Sequence, residues 1–226
     1  MFSEPIITIA IIAVTCIVSF LSFSQEQYLG KAMFNPYAIR TQNQYYRFLT
    51  HGLIHGDIAH LAFNMLALYS FGSLLEQYAF AHPCVFGSNA AIYFLALYIT
   101  ALVASSLPTY FQYQHTPSYN ALGASGAVSA VVFSGITLLP QLPIRIFLIP
   151  IDIPGIVFGI VYLGISYYLD KRNRHDGVGH AAHFWGSVYG VAFTIVFVQL
   201  NGQLNVFSNF LLQLKAYPQL VPFTCM

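Results

Sequence analysis

Six apolar runs of near-membrane length constrain this chain more than anything else in it. They cover residues 6–23, 58–75, 90–107, 124–139, 153–169 and 183–200. Crossing the hydrocarbon core of a bilayer takes about 20 mostly apolar residues. Only 7% of the 226 residues are charged and 57% are hydrophobic, where a soluble domain carries about 25% charged residues. Such a chain cannot clothe a water-facing surface, so its solvent is lipid. The expected class is an all-α membrane protein, a six-helix bundle in one domain over 1–226. Val206, Phe207, Phe210, Leu211 and Leu214 share one helical face and predict a further, interfacial C-terminal helix. The first run lacks a basic leader and a small-residue cleavage site, and reads as a retained span.

A net charge of +1 gives no reason to expect nucleic acid. The three cysteines, Cys16, Cys84 and Cys225, are odd in number and far apart. They read as apolar fillers, neither a disulfide framework nor a metal motif. The longest connection, 24–57, holds Tyr28, Phe34, Tyr37, Tyr45, Tyr46 and Phe48 with Lys31, Arg40 and Arg47. Aromatics with a few cations suit the membrane–water boundary. The segment is an interfacial loop, or a lateral cover for a site between helices.

The fourth run opens on Gly123-Ala124-Ser125-Gly126. This sets a hydroxyl among residues with almost no bulk, which lets a substrate backbone approach Ser125. The same spacing occurs wherever helices pack closely in lipid. Polar residues inside the other runs separate the two readings, because burying an ionisable group there costs at least about 2.5 kcal/mol. His60 and Asn64 lie four apart in the second run and share a helix face, with His51 and His55 upstream. His183 opens the sixth run, followed by Gly186 and Gly190. The fourth run has its own small stripe, Gly123, Ala127, Ala130 and Ser134. Two smooth stripes predict that the fourth and sixth helices touch. Ser125 and His183 then meet at one depth.

That meeting has chemical content. A serine needs a base to become a nucleophile, and neutral histidine is suited to the task near pH 7. The backbone N–H of Ser125 at a helix start is free to donate. His60 and the Asn64 amide can add donors for an oxyanion. The acid nearest His183 in sequence is Asp176, in a loop, so a two-member Ser–His pair is the simpler arrangement.

Together these residues resemble the rhomboid family of intramembrane serine proteases. The resemblance covers roughly 45–190 and rests on three blocks. These are Tyr46-Arg47-x3-His51-x3-His55-x4-His60-x2-Phe63-Asn64, Gly123-Ala-Ser-Gly126, and Ala182-His183-x2-Gly186-x3-Gly190. It implies a rhomboid-like six-span bundle with Ser125 as nucleophile and His183 as general base. His60, Asn64 and the Ala124 and Ser125 backbone would form the oxyanion site. Arg47, Gly123, Gly126, Gly186 and Gly190 would be structural, and Glu76 a structural acid at the inner end of the second helix. The substrates implied are transmembrane proteins with small or helix-weakening residues near the cut. No cofactor or metal is implied, and the default location is a bacterial plasma membrane.

The sequence departs from the family pattern in three places. Many members carry, four residues after the nucleophile, an aromatic that stacks on the catalytic histidine; here that position is Ser129, so another group must orient His183. The first-loop Trp-Arg pair is Tyr46-Arg47. The family places both termini in the cytoplasm, which would leave Lys31, Arg40, Arg47, Lys171, Arg172 and Arg174 outside and only Arg145 and Lys215 inside, against the positive-inside tendency.

Simpler roles suit the remaining histidines. His51 and His55 read as structural or interfacial groups that reach water, and His180 as a loop residue. His82, His115 and His175 sit in connections. Two other classes compete with a protease: a metal or proton transporter lined by His51, His55, His60, His180 and His183, and an inactive rhomboid-like binder of membrane helices. The near-absence of acids from the runs opposes the first, and the presence of both Ser125 and His183 opposes the second.

Overall fold

The computed structural model describes residues 4–24, 26–145, 151–172, 179–201 and 203–225, without the side chains of 26–28. Arg174, His175 and Asp176 lie outside the described residues. The chain is mostly helical. Its long helices are α1 (Ile6–Phe23), α5 (Ile58–Ser73), α6 (Ala90–Tyr113), α7 (Ser125–Leu138), α8 (Gly155–Lys171) and α9 (His180–Asn201), with α10 (Val206–Lys215) after them. The long first connection folds into α2 (Glu26–Ala32), α3 (Pro36–Gln42) and α4 (Arg47–Thr50). Among the described residues, four helical stretches are long and apolar enough to cross a membrane: Ile6–Phe23, Ile58–Ala79, Gly87–Tyr113 and His180–Asn201.

Local chemistry sets the helix starts. Asp57 accepts the His60 N–H at 2.7 Å and caps α5. Asn35 does the same for α3, with Pro36 at its first position. Asn43, at φ 56°, ends α3 in the left-handed conformation that asparagine tolerates. At its far end α5 widens into a π-helical turn, Leu74–Ala79.

The centre of the molecule is α7. Every residue from Gly126 to Leu138 is buried, as a helix apolar on all sides requires. Around it stand α9, α6, α5 and α8. Gly126, Gly186 and Gly190 set its closest contact. A Cβ on Gly186 would collide with the Gly126 carbonyl, and one on Gly190 with the Ala130 carbonyl. One turn further on, the Ser134 and Thr194 hydroxyls bond at 2.5 Å. Backbone approach along small residues is the packing available to helices in lipid.

The end opposite Ser125 is tied by polar and covalent links. The Glu76 carboxylate accepts the Ile7 N–H (2.9 Å), the Thr8 N–H (2.8 Å) and the Thr8 hydroxyl (2.8 Å), so a side chain at the end of α5 caps the start of α1. Asn209 donates to the Leu138 carbonyl at 2.8 Å and closes the end of α7.

Four expectations change here. The fold is not purely helical: β1 (Pro143–Arg145) and β2 (Asp152–Pro154) form a short antiparallel pair, with an exposed Arg145–Asp152 ion pair at 2.9 Å. Prolines 143 and 154 face each other in the ladder, and the pairing of Asp152–Pro154 leaves α8 to begin at Gly155. The cysteines are not all fillers, because Cys84 and Cys225 are bridged with Cα atoms 5.0 Å apart. Spacing rules read local clusters and miss partners 141 residues apart. Cys16 is free. In α10, Val206 is buried beside Asn209 and Gln213 while Phe207 and Leu211 point outward. Both buried amides bond to backbone: Asn209 donates to the Leu138 carbonyl, and Gln213 pairs with the N–H and C=O of Val221.

Candidate active site

Ser125 is the first residue of α7 and borders a cavity of about 460 Å³. His51, Ser105, Gly126, Asp170, His180 and Ala182 also line it. The turn before Ser125 is built for close approach. Gly123 has φ 106°, a conformation closed to ordinary side chains. Its N–H donates to the His51 carbonyl at 2.9 Å, and the Phe34–Ala121 bridge holds the preceding strand-like segment. A Cβ at Gly123 would lie 2.7 Å from the His60 ring, so the His60 imidazole lies directly against the turn that delivers Ser125. The first N–H groups of α7, Ser125 among them, have no partner within the helix. Ala124 is buried at the N-cap, and its carbonyl accepts the Val128 N–H at 2.9 Å.

His60 and Asn64 follow each other on α5, as their spacing requires. Asn64 is buried, and one amide hydrogen goes to the His60 carbonyl at 3.2 Å. An amide nitrogen carries two hydrogens, so a second donor remains. His183 lies in the first turn of α9, its N–H bonded to the Gly179 carbonyl at 3.0 Å. The contact between Gly126 and Gly186 brings this turn to the start of α7, and a Cβ on Gly126 would stand 3.3 Å from the Ala182 carbonyl. The pairings Gly126–Gly186, Ala130–Gly190 and Ser134–Thr194 share one offset, so α7 and α9 run in constant register.

The His183 ring stacks on Tyr162 of α8, with centroids 6.0 Å apart and planes 21° apart. The Tyr162 hydroxyl bonds the Ser129 hydroxyl at 2.8 Å. Tyr162 is the group the sequence reading lacked. It stands with other aromatics in the fifth run, and its spacing from Phe158, on which it also stacks at 5.6 Å, is its only local signal.

Three histidines differ from expectation. His180 is helical, not a loop residue; it opens α9, lines the cavity and has its ring 6.2 Å from that of His183. His51 and His55 are buried, at 7% and 0% exposure, with His51 in the wall of the cavity. Phe34 and Ser106 of α6 lie against His51, and Ser19 of α1 and His60 against His55. Burial pushes both rings down to about 4; for His55, proximity to His60 adds to that while Asp57 opposes it. His51 Nε2 meets the Ser106 hydroxyl at 3.2 Å, and His55 Nδ1 meets the Ser19 hydroxyl at 3.0 Å. Arg47 is buried and pins the first connection, donating to the carbonyls of Gly30 (3.0 Å) and Met33 (2.6 Å) and to Gln44 Oε1 (2.6 Å). Among the described residues, no three His, Cys, Asp or Glu side chains converge as metal ligands do.

The chain matches the Rhomboid domain family over residues 42–200. It is 34% identical to Rhomboid-like protein 15 of Arabidopsis thaliana over 117 residues, 46% of this chain and 27% of that protein. It is 33% identical to the rhomboid protease GluP of Bacillus subtilis over 152 residues, 67% of this chain and 26% of that protein. With the rhomboid protease GlpG of Haemophilus influenzae the identity is 26% over 184 residues, 80% of this chain and 85% of that protein. The chain thus spans about a quarter of the length of the first two relatives.

Proposed function

The chain belongs to the rhomboid family, and from that premise we propose that it is an intramembrane serine endopeptidase. It would cut peptide bonds in or near the transmembrane segments of other membrane proteins. The observation that carries the reading is the α7–α9 seam. Gly126 and Gly186 are in contact, which draws the turn of Ser125 and the turn of His183 to one level of the bundle.

In this mechanism His183 takes the Ser125 proton as the oxygen attacks the scissile carbonyl. The Ser125 N–H, His60 and Asn64 donate to the oxyanion, and the loss of one such donor typically costs about 2.7–4 kcal/mol. His183 then protonates the leaving amine, and water entering through the cavity beside Ser125 releases the acyl group. A helical substrate hides its carbonyls in hydrogen bonds, so it must unwind before attack. This favours small or helix-weakening residues at the cut. The full reading has α1, α5, α6, α7, α8 and α9 as six spans and α10 in the interface, in a bacterial plasma membrane.

We keep the orientation that the family resemblance implies, with the site open to the extracytoplasmic side. A cysteine placed at exposed Gln42 should react with an impermeant maleimide in intact cells; reaction only after lysis inverts the topology. In the kept orientation Cys84 and Cys225 face the cytoplasm, where thiols are held reduced. Finding them bridged in growing cells would also point to inversion.

The direct test of the chemistry is labelling of the purified protein by a fluorophosphonate probe. Ser125→Ala should abolish labelling and cleavage of a transmembrane substrate while the protein stays folded. His183→Ala should abolish both as well. A Ser125→Ala protein that still cleaves refutes the mechanism.

A further inference from the structure

We propose that Tyr162 of α8, tethered by the Ser129 hydroxyl, is the positioning residue that fixes the imidazole plane of His183 relative to Ser125. The inference rests on the dyad reading above and adds to it how the base is held.

Aromatic contacts fix the Tyr162 ring on several sides. Phe158 stacks on it at 5.6 Å and 25°, and Phe133 of α7 lies tilted at 5.8 Å. His183 lies against it at 6.0 Å and 21°, within the range of offset-stacked rings. A tyrosine ring has two torsions, and the bond from its hydroxyl to Ser129 Oγ, at 2.8 Å, restrains both. Ser129 is 4% exposed and sits one helical turn beyond Ser125 on the same rigid helix. The nucleophile, the tether, the ring and the base therefore form one continuous path through α7, α8 and α9. The backbone contact at Gly186 sets the distance between α7 and α9, and the Tyr162 face bears on the plane of the imidazole.

Productive attack depends on alignment, and a misplacement of about 1 Å can cost on the order of a hundredfold in rate. The test is saturation kinetics of fluorophosphonate labelling on the full chain, which separates kinact from KI. Tyr162→Leu should lower kinact by roughly 30- to 100-fold with KI within about twofold. Tyr162→Phe keeps the ring and loses the tether, as does Ser129→Ala. Each should lower kinact about fivefold, the effect of one ordinary hydrogen bond, and the double variant should be no worse than either alone. Wild-type kinact in Tyr162→Leu overturns the proposal. So does a parallel loss of KI, kinact and melting temperature, which would make Tyr162 a packing residue only. If Tyr162→Leu does not fold, Ser129→Ala decides, and an unchanged kinact there overturns the tether. Failure of the underlying dyad looks different: the wild-type protein itself would not label at Ser125.

Discussion

The two ends of this bundle are held by different means. The end away from Ser125 is joined by a disulfide, by a carboxylate that caps a neighbouring helix and by an asparagine that closes another. The Ser125 end has a cavity, helix-start N–H groups that the helix itself leaves without a partner, a left-handed glycine and two buried histidines. The cross-links gather where no chemistry is proposed, and the cavity and the buried histidines gather where it is. The α7–α9 seam runs between the two ends.

Breaking the seam should have the largest effect. Gly190→Val places a side chain where the Ala130 carbonyl lies, and backbone cannot yield as a flexible side chain can. We expect a loss of about 4 kcal/mol or more, in the range reserved for severe overpacking, seen as little folded protein in detergent. Gly164 supplies the contrast. A Cβ there meets nothing within 4 Å, so Gly164→Ala should be neutral or stabilising by up to about 1 kcal/mol. Equal melting temperatures for the two variants would show that the seam does not organise the fold.

The stitched end comes next. Reducing Cys84–Cys225 in the purified protein should cost about 2–4 kcal/mol, since the bridge closes a long loop. Activity per folded molecule should be unchanged, because the link lies far from Ser125. Glu76→Ala should cost about 2–3 kcal/mol by stranding the N–H groups of Ile7 and Thr8, again with kcat preserved. A fall in kcat without a fall in melting temperature would break the division between the two ends.

What was legible in the sequence follows the same division. Ser125, His60, Asn64 and His183 stood out because each is a polar group at a place where lipid penalises polarity. Gly186 and Gly190 stood out because a stripe needs only one helix to be seen. Residues whose role depends on a distant partner were harder to read. Tyr162 is one aromatic among several in its run until α8 brings it to His183. Cys84 and Cys225 carry no local pattern. Glu76 was marked as structural, but its partners on α1 are 68 and 69 residues away. The wet appearance of His51 and His55 came from their position before a span, and their burial depends on partners far along the chain, Ser106 for His51 and Ser19 for His55.

Acid should expose the weakness of the site end by the smallest step. His51 and His55 have folded-state values near 4 because burial disfavours their charged forms, while the unfolded chain titrates near 6.5. Above pH 6.5 both states hold neutral rings, and this route contributes nothing to the pH dependence. Between 6.5 and 4 the unfolded chain binds protons that the folded one refuses, so stability falls as pH drops; below 4 the loss levels off. At pH 5.5 each ring should account for about 1.4 kcal/mol of lost stability. Replacing His51 with Gln, which keeps a donor for Ser106 and does not titrate, should remove about half of the slope of melting temperature against pH. The same slope after replacement would place the acid sensitivity elsewhere. If reduction of Cys84–Cys225 steepened the slope, the stitched end would prove to stabilise the site end across the seam.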